Sequence, residues 1–204
     1  MGKFLEFVFN RIFLGMMATA YFWLLTLAGG VAFGLAPASA TLMSLYAEHG
    51  YTYRAYYLKE AWELYKSNFV KSNLAFYSFV FVDLVLVYGL YLLVQLPHQT
   101  IFHLLATFLN ILVVAFVFLA YTVSLKLQVH YELSYRNTVK LALIGIFMNL
   151  PAIAKVLFGT VMLVGIGYYM PALLFFVGIG VWHFFISDML EPVYESIHEK
   201  LATK

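Results

Sequence analysis

The chain has 204 residues, 64% hydrophobic and 11% charged, with a formal net charge of +2 and no cysteine. A soluble domain is nearer roughly half apolar and a quarter charged, so this composition belongs to a membrane protein. The small charge gives no footprint for nucleic acid, and the missing thiols exclude disulfides and thiolate metal sites.

Five apolar runs, near residues 12–30, 70–96, 101–127, 150–168 and 171–190, reach the roughly 18 residues that span a hydrocarbon core. The first is not followed by a small-x-small site and a polar chain, so it is expected to stay as a membrane helix, not to be cleaved as a signal. The stretch that follows it, VAFGLAPASATLMSLY, is a sixth, shorter segment rich in glycine, proline and small residues.

Next comes YTYRAYYLKEAWELYKSNF, in which Leu58, Trp62, Tyr65 and Phe69 recur at helical spacing while Lys59, Glu63 and Lys66 take other faces. It reads as an amphipathic helix on the membrane surface, with Arg54, Lys59, Trp62, Lys66, Asn68, Phe69 and Lys71 as its candidate contact residues. A second such segment, YELSYRNTVKLALIGIF, precedes the fourth run, with Glu132, Arg136 and Lys140 in one stripe. Each surface helix is followed by a membrane hairpin. The chain therefore reads as a single domain over 1–204 with a weak internal repeat, 54–127 and 131–192, that aligns Asn73 with Asn149.

Lys and Arg gather at the N-terminus, in both surface segments and at the C-terminus, whereas the PHQT and YYMP loops have none. Such loops are cytoplasmic, which puts both termini inside the cell. The N-terminus and the Arg54 region share a side only if the chain crosses twice between them. The VAFGLAPASATLMSLY segment must then bring it back, although as a helix it spans only about 25 Å. It is expected to be short, broken or re-entrant, starting near Pro37, with Gly30, Gly34, Pro37, Ala38, Ser39 and Ala40 as a candidate turn. Proline costs little in a first helical turn, and Gly30, Gly34 and Ala38 at four-residue spacing admit a close neighbour.

FGLAPASATLMSLY followed by YYLKEAWELYKSNFVKSN resembles the N-terminal half of the YesL-like bacterial integral membrane proteins, a family of unknown function. Gly34, Pro37, Ala38, Ser39, Ala40, Lys66, Asn68, Phe69, Lys71, Ser72 and Asn73 fit its pattern. Ala36 stands where many members have a glycine directly before the proline. The resemblance spans residues 10–75 and implies a bacterial cell-membrane location. It also implies a gene context beside carbohydrate ABC importers and oligosaccharide-degrading enzymes.

Asp83, Asn110, Asn149 and Lys155 are the candidate intramembrane polar residues. An ionisable group there is by default a functional candidate. Asp83 and Lys155 would pair if the two hairpins face one another, while a lysine one turn into its helix can equally snorkel to the headgroups. The histidines offer no ligand set, and no P-loop, G-x-S-x-G elbow or H-E-x-x-H pair is present, so no cofactor, metal or enzymatic activity is expected.

The expected fold is all-α and polytopic, with about six membrane helices and two surface helices. The expected function is that of an accessory or regulatory subunit bound to the permease of a carbohydrate ABC importer. Two alternatives are a small transporter or channel built around the Pro37 turn, Asp83 and Lys155, and a lipid-interacting membrane-assembly protein.

Overall fold

A computed structural model of the chain describes residues 2–97 and 100–202, which leaves His98 and Lys204 outside the described residues. The order is α1 (Gly2–Ala28), α2 (Leu35–His49), a 3-10 turn (Tyr53–Ala55), α3 (Leu58–Gln95), α4 (Ile101–His130), α5 (Tyr135–Met148) and α6 (Leu150–Tyr169). A short α7 (Pro171–Leu173), a π-helical turn (Leu174–Gly178), α8 (Ile179–Met189) and α9 (Glu191–Ala202) follow. The protein is an all-α polytopic membrane protein, with five described helical stretches long and apolar enough to cross a bilayer: Val8–Ala28, Leu58–Gln95, Ile101–His130, Leu150–Tyr169 and Pro171–Lys200.

α2 is the axis around which the others pack. Ala36 to Tyr46 are buried apart from Ser39, which is half-buried. Ala38, Leu42 and Leu45 face a core formed with Leu14, Ala18 and Phe22 of α1 and Phe184 of α8. Ala40 and Met43 face a second core, built mainly by α4, α5, α6, α8 and α9. Small side chains let neighbours approach from several sides, which explains a composition that looked like an interruption. Thr41 and Ser44 donate to the carbonyls of Pro37 (2.7 Å) and Ala40 (2.9 Å), so their hydroxyls are satisfied within the helix.

α2 is an unbroken 15-residue helix that starts at Leu35, so of the expected alternatives the short helix beginning near Pro37 holds and the broken one does not. Pro37 lies in the first turn, where a missing N–H costs no hydrogen bond. At 1.5 Å per residue α2 covers about 22 Å. It does carry the chain back along α1, because the guanidinium of Arg11, early in α1, stacks on the ring of Tyr51, just past the end of α2.

The reversal itself is tight. Gly34 lies against the Thr26 backbone and Gly29 against Gly34, with no room for a Cβ at either. Gly30 has φ +70° in open space, and Val31 adopts φ 66° although it is β-branched. Asn73 of α3 clamps the turn by donating to the Phe33 carbonyl (2.9 Å).

Two surface-helix expectations part company. Residues 58–69 do not form a separate helix but run without a break into the second span as the 38-residue α3. No glycine or proline stands between Leu58 and Tyr88 to stop it. α5 is separate, because Asn149 ends it and caps α6, accepting from the Ala152 N–H (3.2 Å) with Pro151 in the first turn. Asn73 and Asn149, aligned as a repeat, thus do different work. The last apolar run also carries a π-helical turn, beyond which the Gly180 N–H donates to Thr19 Oγ1 (2.9 Å) on α1.

Candidate functional site

Polar contacts gather at the end of the bundle where α1 begins and α2, α4 and α8 finish. Tyr46 and Tyr51 donate to the two oxygens of Asp188, at 2.5 and 2.7 Å. Burial raises the pKa of the Tyr51 hydroxyl, which keeps it a donor across ordinary pH. Lys126, buried on α4, donates to Ser187 Oγ (3.0 Å) and Glu191 Oε2 (2.7 Å). Lys71 Nζ donates to the Tyr131 carbonyl (3.2 Å), tying α3 to the end of α4. These bonds fasten five helices in one layer.

Within this layer lies a polar cleft of about 520 Å³, walled by the last turns of α2, by residues 64–71 of α3 and by residues 128–133 after the α4 core. Ser44, Glu48, Asn68, Lys71, Gln128 and Glu132 supply its polar lining. Gln128 is 7% exposed, yet its amide has no hydrogen-bond partner among the described residues; Asn68 likewise has none for its amide. Beside the cleft, His49 Nε2 meets Glu60 Oε1 at 2.7 Å and Glu48 Oε2 at 3.9 Å. One ligand atom from each of the three lies within 4.8 Å of the others, a set of donors that a divalent cation can use and that the sequence reading missed.

The candidate turn residues sit elsewhere. Gly34, Pro37, Ala38 and Ala40 are buried in packing, and Gly30 is exposed. Ser39 lines an apolar cavity of about 590 Å³ with Phe22, Trp23, Phe118, Trp182 and His183. His183 is buried, with Nδ1 on the Ile179 carbonyl (2.7 Å) and Nε2 unpartnered.

Of the surface-helix residues, Lys59, Trp62 and Lys66 are exposed, with Trp62 stacked on Tyr65 at 5.5 Å. Arg54 Nε donates to Tyr53 Oη (3.1 Å), and Phe69 packs edge-on against Tyr65. Asn68 and Lys71 turn inward to the cleft. These seven residues therefore do not present one common face.

Asp83 and Lys155 form no ion pair: Asp83 is half-buried on α3 and Lys155 is exposed on α6. The hairpins they belong to do not face each other there. Asp83 belongs to a wing made of the outer halves of α3 and α4. Between residues 80 and 118 no described residue is buried, although both helices are buried nearer their other ends. The wing holds two enclosed side-chain oxygens without a partner, Asp83 Oδ1 and Asn110 Oδ1. At its tip, Thr100 and His103 cap α4 through a reciprocal pair of side-chain contacts.

Sequence reasoning also missed the stapling role of Lys126, which read only as one of the positive charges of the second surface segment, and of Asp188. Their partners are more than sixty residues away or come from loops, so no local spacing announces them.

No characterised protein and no solved structure matches the chain. Residues 16–90, which run from mid-α1 through α2 into the wing, match the family described as Protein of unknown function, DUF624, and over that stretch the YesL-like resemblance is borne out.

Proposed function

We propose that the protein is an accessory or regulatory membrane subunit that associates, through the α3–α4 wing, with the permease of a carbohydrate ABC importer and serves oligosaccharide uptake. In this reading the Arg11, Lys71 and Lys126 end faces the cytoplasm, as the Lys and Arg distribution favours.

The observation that carries the association is the state of the wing. None of its described residues between 80 and 118 is fully buried within the chain, whereas the most apolar window of the last span is 39% buried. Lipid covers apolar side chains, but it offers no donor to the half-buried Asp83 carboxyl. A neighbouring transmembrane helix covers the apolar side chains, and a hydroxyl, amide or basic donor on it offers a partner to the open side of the half-buried Asp83 carboxyl. The importer as partner is supported by the gene context that the family resemblance implies, and by nothing in the wing itself.

Purification in mild detergent with mass spectrometry of co-purifying proteins tests the proposal. A permease subunit is expected with the unaltered chain and its loss with Asp83→Leu. A folded monomer without a permease, or a permease retained equally by Asp83→Leu, would overturn it.

A further inference from the structure

We infer that the polar cleft between α2, α3 and the end of α4 is a binding site for a small, uncharged, polyhydroxylated solute. The cleft of about 520 Å³ falls within the roughly 300–1,000 Å³ of small-molecule sites. What points to a ligand is Gln128. It is more than nine-tenths buried, it lines the cleft, and its amide has no hydrogen-bond partner among the described residues. The side chain is held by the wall while its amide opens onto the cleft, so its donors and acceptor are free for a bound ligand in place of water. Asn68, across the cleft on α3, presents a second unpartnered amide.

The chemistry of the wall selects the ligand class. Each carboxamide offers both donors and an acceptor, which matches hydroxyl groups that also do both. The Glu48 and Glu132 carboxylates are acceptors for adjacent hydroxyls, and Lys71 keeps donors beyond the one it gives to the Tyr131 carbonyl. An anion is disfavoured, because it would meet two carboxylates against one ammonium. Leu64 and Val129 leave apolar patches suited to the C–H faces of such a solute. The inference rests on the cleft alone and does not require association through the wing, so either can fail without the other.

Isothermal titration of the full chain in detergent with glucose, maltose and myo-inositol, and with inorganic phosphate and glycine as charged comparisons, tests it. Saturable binding of at least one of the three neutral compounds is expected, weakened tenfold or more by Gln128→Leu and by Asn68→Ala. Should Gln128→Leu fail to fold, Asn68→Ala, on the half-buried opposite wall, still carries the test. The inference is overturned if the folded protein binds none of the three up to about 10 mM, where a dissociation constant of order 1 mM would register. Binding that the variants leave unchanged, or saturable binding of only phosphate or glycine, overturns it equally.

Discussion

Lys126 Nζ and Glu191 Oε2 meet at 2.7 Å, joining the end of α4 to the start of α9, with the lysine 3% exposed and the glutamate side chain 47% exposed. The asymmetry decides what each partner is worth. Glu191→Ala leaves a buried ammonium with Ser187 as its remaining bonded side chain and is expected to cost about 1–3 kcal/mol, below the usual cost of breaking a fully buried pair because water reaches the carboxylate. Lys126→Met keeps the volume, removes the charge and should cost less than about 1.5 kcal/mol. Thermal unfolding in detergent checks both, and Lys126→Met combined with Glu191→Ala should recover most of the loss.

The α1–α2 reversal predicts three different answers from three adjacent sites. Gly34→Ala pushes a methyl group into the Thr26 backbone, which cannot turn aside as a side chain can, and should cost about 2–3 kcal/mol. Gly30→Ala meets no atom and pays only for φ +70°, about 1 kcal/mol. Val31→Gly should stabilise by about 0.5–1 kcal/mol, since it relieves a left-handed β-branched residue at the expense of a more flexible unfolded chain. A melting series that ranks Gly34→Ala as the mildest of the three would refute this account of the turn.

The sequence was legible where a signal is local. Run length exposed the long spans, and Lys and Arg placement required α2 to return, which the Arg11–Tyr51 contact bears out. It was less legible where one signal serves two structures. The amphipathic pattern of residues 58–69 is compatible with a surface helix or with the first turns of a longer one, and only the absence of a stop before Tyr88 separates them. The small residues of α2 left a short, a broken and a re-entrant helix open because periodicity is silent on a helix buried on several sides. The cleft was out of reach because Asn68 and Gln128 stand sixty residues apart and meet only when α3 and α4 pack.

Asn73 holds the reversal to α3, and its loss should be felt at a distance in the chain. Asn73→Ala removes the bonds to the Phe33 carbonyl and to its own helix at Phe69, both 2.9 Å, and should cost about 1–2 kcal/mol. Amide hydrogen exchange separates this from a general loss of stability. Faster exchange is expected at Val31 and Leu35, whose N–H groups bond within the turn, with α4 unchanged. Uniform acceleration along the chain would count against a local clamp.

Asp83 should behave in the opposite sense to Lys126. Its enclosed oxygen gains no hydrogen bond inside the chain, so the isolated protein loses nothing when the carboxyl is removed. Asp83→Leu is expected to leave the thermal midpoint in detergent unchanged or to raise it, by up to about 1–2 kcal/mol of stability, the recovered cost of an unsatisfied polar group. Asn110→Leu should do the same where it fits beside Gly89, whose Cβ position lies 3.5 Å from Asn110 Nδ2. A midpoint lowered by Asp83→Leu as far as by Glu191→Ala would mean that the carboxyl has a structural partner within the chain, and the wing would no longer need a neighbour to satisfy it.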